Sequence, residues 1–177
     1  MDQHVILVDE QDREIGTMEK MEVHEKALLH RAFSVFIFDN NGKMLLQQRA
    51  LSKYHSGGLW TNACCSHPRP KEAVDAAAIR RLNEEMGFTT PIISAFQFTY
   101  KAAFDNGLTE HEYDHVFVGK YDGEIHLNIE EAENYGFGLL EDIETDMEQY
   151  PTKYTEWFKI AFPKVKAWVQ QNNYINA

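Results

Sequence analysis

The sequence has 177 residues, of which 44% are apolar and 25% charged, with a formal net charge of -11. This balance predicts one soluble globular domain with a buried core, and the acidic charge argues against nucleic-acid binding because phosphates would be repelled. No run approaches the roughly 20 apolar residues that cross a bilayer, and the start, MDQHVILVDEQD, lacks the basic and apolar regions of a signal peptide. We therefore expect a cytoplasmic protein with no nucleic-acid and no membrane partner.

β-Prone runs separated by turn residues predict strands at residues 4–8, 33–38, 44–48, 95–103 and 111–121. Two of the intervening segments, DNNG at 39–42 and DNG at 105–107, are typical of tight turns between antiparallel strands. The pattern therefore predicts two β-hairpins.

Residues 71–86, KEAVDAAAIRRLNEEM, are rich in helix formers and are followed by Gly87, a favourable C-terminal cap. The expected apolar face of this helix comprises Ala76, Ile79, Leu82 and Met86. A second helix, over about 163–172, is predicted to begin at Pro163 and to present Val165, Trp168 and Val169. Together these elements predict an α+β fold with mixed or antiparallel strands and helices packed on the sheet.

The predicted helix before Gly87 carries two pairs of opposite charges four residues apart, Arg80 with Glu84 and Arg81 with Glu85. Such pairs are ordinarily surface salt bridges. The pattern that spans Ser66, Glu72 and RRLNEEMG nevertheless resembles the Nudix box, which in its superfamily binds a divalent cation on a diphosphate. Ser66 stands in place of the opening glycine and Arg81 in place of an acid, which weakens the resemblance to the pyrophosphate-cleaving members.

The segment TNACCSHP contains the only two cysteines, Cys64 and Cys65, followed by His67. Adjacent cysteines on an extended chain point apart, so we expect two free thiols, as is usual in a reducing compartment. A buried cysteine is usually an inert packing residue, and CC-x-H lacks the spacing of a zinc finger. Proximity to the possible metal-binding helix makes catalysis by one of the thiols the alternative.

Glu110 and Glu112 flank His111 in a predicted strand, where alternation places both carboxylates on one face and the imidazole on the other. They form either a solvated acidic face or a pair of metal ligands. His24 and His30 supply possible partners, although a single histidine is more often structural. Three histidines with two acids would suit zinc or manganese.

These segments together resemble the type 1 isopentenyl-diphosphate isomerases, from about His4 to Trp157. The resemblance is carried by TNACCSHP, LLHRAFS, LLQQRALSK and EHEYDH, which are specific in combination. It implies a single Nudix-type isomerase domain over residues 1–177, with a core at about 4–160. It also implies an isoprenoid diphosphate substrate, and we expect a monomer or weak dimer.

The resemblance further implies the roles of individual residues. One Mn²⁺ or Zn²⁺ would be held by His24, His30, His67, Glu110 and Glu112. One Mg²⁺, which binds the substrate diphosphate, would be reached by Glu85 and by the carbonyl of Cys65. The diphosphate would be gripped by Lys20, Arg49, Lys53 and Arg81.

The proton-transfer pair would be Cys65 and Glu112, with Trp157 beside the cationic centre and Tyr100 near Glu112. For Trp157 and Tyr100 the alternative role is core packing, and Cys64 is expected to be a packing residue. Two other functions compete with isomerisation. One is hydrolysis of a nucleoside diphosphate derivative by a Nudix hydrolase, and the other is metal-dependent diphosphate sensing without catalysis, which has no use for Cys65.

Overall fold

The computed structural model of the protein describes residues 3–176. Residues 1, 2 and 177 of the expected 1–177 domain lie outside the described residues, and so do the first two residues of the N-terminal segment that lacks the features of a signal peptide. The described strands are β1 His4–Val8, β2 Glu14–Glu19, β3 His30–Phe38, β4 Met44–Arg49, β5 Trp60–Asn62, β6 Cys64–Ser66, β7 Ile92–Ala103, β8 Thr109–Lys120 and β9 Ala132–Gly138. The α-helices are α1 Lys20–Glu25, α2 Val74–Met86, α3 Leu140–Gln149 and α4 Glu156–Gln171. No helix among residues 3–176 is long and apolar enough to cross a membrane.

Strand β3 lies at the centre of one mixed sheet. It pairs in parallel with β8 along its whole length, and antiparallel with β1, β4 and β6. Every residue from 32 to 38 is buried, because helices cover both faces. Phe36 and Phe38 pack in the cluster that contains α4, whereas Val35 and Ile37 pack in the cluster that contains α2. The α+β fold class, with a mixed sheet between helices, is confirmed.

Both predicted hairpin turns are present. The Asp39 carboxylate accepts the backbone N–H groups of Asn41 and Lys43, and Gly42 takes a positive φ of 76°. Beyond this turn β3 and β4 share only the pair Phe38 and Met44, because β3 then continues beside β8 and β6. The second hairpin, β7 with β8, is a long antiparallel ladder.

Helix α2 begins at Val74, three residues later than predicted. Lys71 has a φ of 68°, which lies outside the right-handed helical region, and Ala73 is an extended N-terminal cap. The Gly87 cap is confirmed, with φ at 73°. Of the predicted apolar face, Leu82 and Met86 are buried, Ile79 is half-buried, and the inclusion of Ala76 was wrong because Ala76 is exposed. Within α2, the buried alanines are instead Ala77 and Ala78.

The prediction that Pro163 opens the last helix was wrong. Helix α4 begins seven residues earlier, at Glu156, where the Thr155 hydroxyl accepts the backbone N–H of Phe158. Pro163 therefore lies inside the helix, at a cost of about 3 kcal/mol. Burial of Phe158, Phe162 and Val165 on the same helix offsets that cost, since each buried apolar side chain contributes about 1.5–3 kcal/mol.

The cap at Gly87 is constrained both by its backbone angle and by its neighbours. A Cβ atom there would lie 2.2 Å from the carbonyl oxygen of His126, whereas a Cβ at Gly107, which has a similar φ of 82°, would meet nothing within 4 Å. We predict that Gly107→Ala lowers the free energy of unfolding by the left-handed backbone cost alone, about 1–2 kcal/mol, and that Gly87→Ala lowers it by more. Urea denaturation of both variants measures the difference, and equal losses would contradict the proposed contact with His126.

Candidate active site and metal centre

Five side chains from four parts of the chain converge at one end of β3. His24 lies on α1, His30 begins β3, His67 follows β6, and Glu110 and Glu112 lie on β8. One ligand atom from each lies within 4.8 Å of the ligand atoms of the others. The parallel register places His30 opposite Glu112. As predicted from strand alternation, His111 points to the other face, where its Nδ1 atom contacts the carbonyl of Ala27.

Backbone carbonyls fix the orientation of two of these imidazoles. The Nδ1 atom of His24 lies 2.6 Å from the carbonyl oxygen of Lys20, and that of His30 lies 2.9 Å from the carbonyl oxygen of Leu28. Since a carbonyl can only accept, each Nδ1 carries a hydrogen, and in the neutral form of each ring the Nε2 atom presents a lone pair. The Nε2 atom of His24 is buried without a hydrogen-bond partner. A metal ion would satisfy that lone pair, so the donor set fits a metal.

The electrostatics of the cluster also favour metal binding. Burial lowers the pKa of His30 to about 4 and the pKa of His67 well below its usual range, so both imidazoles are neutral near pH 7. Burial, followed by the adjacent Glu110 carboxylate, raises the pKa of Glu112 well above its usual value. The two glutamate carboxyl groups and the three imidazoles, of which those of His30 and His67 are neutral, form a buried set that a divalent cation would stabilise. The cluster could therefore hold a metal ion.

Cys65 lies on the cavity wall, whereas Cys64 is fully buried in the apolar cluster behind it. Both thiols are free, as expected. The Cys65 Sγ atom lies 3.0 Å from Oδ1 of Asn62 and 3.5 Å from Oγ of Ser34. Burial, with the nearby Asp114 carboxylate, raises the pKa of Cys65 above its usual value, so the residue is a thiol near neutral pH.

The remaining predicted catalytic residues line the same cavity. The Tyr100 hydroxyl donates a hydrogen bond to Glu112 at 2.7 Å, in agreement with their opposed positions on β7 and β8. Trp157 is buried, and the Arg49 guanidinium lies 5.1 Å from the centre of its ring. One cavity brings together Cys65, Tyr100, Glu112 and Trp157.

The four predicted cations also line this cavity: Lys20, Arg49, Lys53 and Arg81. Arg81 donates hydrogen bonds to Glu84 at 2.7 Å and to Glu85 at 2.6 Å. The Nε atoms of Arg49 and Arg81 are buried without an acceptor. Buried N–H donors favour an anionic ligand, because unsatisfied polar groups are costly in a dry site. Arg80 instead pairs with Glu72 and Glu84 outside this cavity, which agrees with the surface-pair interpretation.

Sequence reasoning missed several residues of the cavity wall. His55 stacks on Phe104, with ring centroids 4.6 Å apart, and its Nε2 lies 3.2 Å from Oε1 of Glu110. Glu131 forms ion pairs with Lys53 and Arg81. These four contacts join residues 49 to 78 positions apart, so no spacing in the sequence indicated them.

The chain matches the NUDIX domain family over residues 28–158. It is 47% identical over 173 residues to the isopentenyl-diphosphate Delta-isomerase 2 of Photorhabdus laumondii, with 95% of this chain and 98% of that protein covered. It is 51% identical over 158 residues to the isopentenyl-diphosphate Delta-isomerase of Serratia proteamaculans, with coverage of 89% and 88%. The crystal structure of the MutT protein from Methanosarcina mazei has the same fold, with a TM-score of 0.66, 19% identity and coverage of 81% and 95%.

The orphaned Nε2 atom of His24 generates a prediction about metal retention. We expect the purified protein to hold about one transition-metal ion per chain, and we expect Mn²⁺ or Zn²⁺ to raise the thermal midpoint of the metal-free protein. His24→Ala should lose most of that metal and most of the thermal shift. His126→Ala, which changes an exposed imidazole, is the control and should retain both.

Elemental analysis and thermal unfolding with and without added metal provide the measurements. A metal-free protein whose midpoint does not change with either ion would contradict the site, as would identical metal content in the two variants.

Proposed function

The chain belongs to the isopentenyl-diphosphate Delta-isomerases, a family with a NUDIX domain, and from this we propose that it interconverts isopentenyl diphosphate and dimethylallyl diphosphate. The observation that carries the proposal is the convergence of Cys65, Glu112 and Trp157 beside a His/Glu cluster in one cavity. The diphosphate defines the substrate class, and the cations of the cavity provide its recognition.

The reaction moves a double bond by one position without changing the number of atoms. A proton adds to the terminal CH₂ carbon of the alkene, which leaves positive charge on the tertiary carbon. Loss of a proton from the carbon on the other side then forms the new double bond. The chemistry therefore requires one acid, one base and a water-poor pocket that tolerates a cation.

We assign the two proton transfers to Cys65 and Glu112. Cys65 holds a proton near neutral pH because burial raises its pKa, and burial raises the pKa of Glu112 as well. Tyr100 supports Glu112 through its 2.7 Å hydrogen bond. Both groups line the cavity in which the five-carbon chain would lie.

Trp157 is assigned to stabilisation of the cationic carbon. An aromatic face contributes about 2 kcal/mol or more to a desolvated cation. In the structure the Arg49 guanidinium already lies over this ring, at 5.1 Å from its centre. The same guanidinium lines the cavity with Lys20, Lys53 and Arg81, so one cation adjoins both the indole and the proposed diphosphate position.

The metal assignments follow from ligand chemistry. Imidazole and carboxylate ligands suit Mn²⁺ or Zn²⁺, and His24, His30, His67, Glu110 and Glu112 would hold that ion. Glu85 and the carbonyl of Cys65 would hold Mg²⁺ with the diphosphate, in keeping with the preference of Mg²⁺ for oxygen. When bound, these ions supply charge compensation for the carboxylates and the diphosphate. The Glu85 carboxylate presently accepts from Arg81 and from Gln47, so it lies next to the anion-binding cations.

Hydrolysis of a diphosphate is the competing function. Arg81 stands where the Nudix box has an acid, and its side chain pairs with Glu84, Glu85 and Glu131. This substitution replaces a cation ligand with an anion ligand, which favours retention of the intact diphosphate.

We further propose that the isomerase domain extends over residues 1–177 and acts in the cytoplasm as a monomer or weak dimer.

Substitution of the proton-transfer pair tests the proposal. Cys65→Ser and Glu112→Gln should fold normally but lose isomerase activity by at least about 10²–10⁴-fold, the usual contribution of a positioned acid or base. Conversion is followed by proton NMR, folding by circular dichroism, and metal content by elemental analysis, because Glu112 is also a proposed ligand.

Cys64→Ala is the matched control, since it removes the neighbouring thiol from the apolar cluster and Cys64 is not among the residues that line the cavity. It should retain nearly the full turnover. Turnover close to that of the unmodified protein in Cys65→Ser would refute the assignment.

A further inference from the structure

A fully buried amide contacts the proposed catalytic thiol. Asn62 ends β5 and has no exposed surface. Its Oδ1 atom accepts two hydrogen bonds, from the Cys65 thiol at 3.0 Å and from the Thr61 hydroxyl at 2.9 Å. Its Nδ2 group donates to the carbonyls of Val35, at 3.0 Å, and Cys64, at 2.9 Å. All four hydrogen-bonding positions of the amide are therefore used.

These contacts allow only one orientation of the amide. Carbonyl oxygens accept but cannot donate, so the –NH₂ group must face Val35 and Cys64. A rotation by 180° would place Oδ1 against two carbonyls and leave the thiol without an acceptor. Asn62 consequently holds an acceptor at one fixed position beside Cys65.

The same oxygen is joined through hydroxyl groups to helix α4. Thr155 accepts the backbone N–H of Phe158 and donates to the Thr61 hydroxyl at 3.1 Å, and Thr61 donates in turn to Asn62. Thr61 and Thr155 are both buried. Since Thr155 caps the helix that carries Trp157, this chain of hydrogen bonds links the position of the thiol to the start of the helix that holds the indole.

On the other side of the thiol, Ser34 donates its hydroxyl hydrogen to Asp114 at 2.7 Å. Its oxygen is 3.5 Å from the Cys65 sulfur, which is longer than the contact with Asn62. Asn62 is therefore the nearer acceptor for the thiol hydrogen.

We propose that Asn62 is a positioning residue for Cys65, which fixes the rotamer of the side chain and the direction of its S–H bond at the cavity wall. The consequence for catalysis rests on the proposed isomerase function, since proton transfer to or from carbon needs the sulfur in a narrow range of approach. An error of about 1 Å in the position of a reacting group can cost roughly 100-fold in rate. Asn62 itself is not among the residues that line the cavity.

Infrared spectroscopy of the S–H stretch tests the contact directly, because a thiol that donates a hydrogen bond absorbs at lower frequency than a free thiol. The experiment uses protein with Cys64→Ala, so that Cys65 is the single thiol, and subtracts the spectrum of the Cys64→Ala, Cys65→Ser protein. We expect a band below that of N-acetylcysteine amide in a non-hydrogen-bonding solvent. A band at the free-thiol frequency overturns the proposal, whatever the stability of any Asn62 variant.

Substitution then separates positioning from structural support. Asn62→Ala should move the band to higher frequency and lower kcat by about 100-fold, with KM nearly unchanged because the diphosphate contacts remain. Thr61→Val removes the other donor to the same oxygen and preserves side-chain shape. It should leave the band in place and lower kcat much less.

Equal losses of kcat in the two variants would make the effect a structural one and overturn the proposal, as would a folded Asn62→Ala protein with the original band. If the isomerase function itself were wrong, no variant would show turnover, yet the band and its response to Asn62→Ala would persist. The two failures are thus distinguishable.

Discussion

Nine consecutive residue pairs join β3 to β8 in parallel, from His30 opposite Glu112 to Phe38 opposite Lys120. This pairing sets the position of the site, because it brings two histidine-bearing segments against the two glutamates at the beginning of the ladder. Farther along β3, the antiparallel contact with β6 sets Ser34 opposite Cys65. A shift of one residue in either register would turn the functional side chains to the opposite face of the sheet. The apolar residues of β3, buried between α2 and α4, oppose any such shift.

Burial gives the site its chemistry and also its electrostatic cost. Glu110 and Glu112 are almost fully buried beside one another. Two negative charges on these neighbouring side chains would repel each other strongly, because the surroundings have a low dielectric. The imidazoles of His24 and His30, oriented by backbone carbonyls, help to create a position that a divalent cation would stabilise. Arg49 and Arg81, two of the cations that line the adjacent cavity, similarly have buried Nε atoms without an acceptor. Both features fit the proposed ligands, a metal ion at the cluster and a diphosphate in the cavity.

Much of this arrangement could be predicted from the sequence, but for different reasons in different places. The hairpin turns at 39–42 and 105–107 and the cap at Gly87 are local features, determined by backbone preferences of a few residues. The ligand set was predicted from the resemblance carried by EHEYDH and TNACCSHP, not from spacing. Long-range pairing, which no local pattern specifies, determines the parallel partner of β3, the short strands β5 and β6, and the edge strand β9. The start of α4 was misplaced because proline is typical of a first helical turn, whereas Thr155 caps this helix and buried side chains of the helix offset the cost of Pro163 in its interior. His55 and Asn62 acquire their roles only through contacts with residues that folding brings near them.

The proposed function requires this cavity to move protons on carbon and to leave the diphosphate intact. Incubation of the purified, metal-loaded protein with isopentenyl diphosphate and Mg²⁺ in D₂O, followed by proton and phosphorus NMR, tests it most directly. The proposed isomerase function predicts dimethylallyl diphosphate that carries solvent deuterium, with no free phosphate. Release of phosphate from an unrearranged carbon skeleton would contradict it and assign the chain to diphosphate hydrolysis.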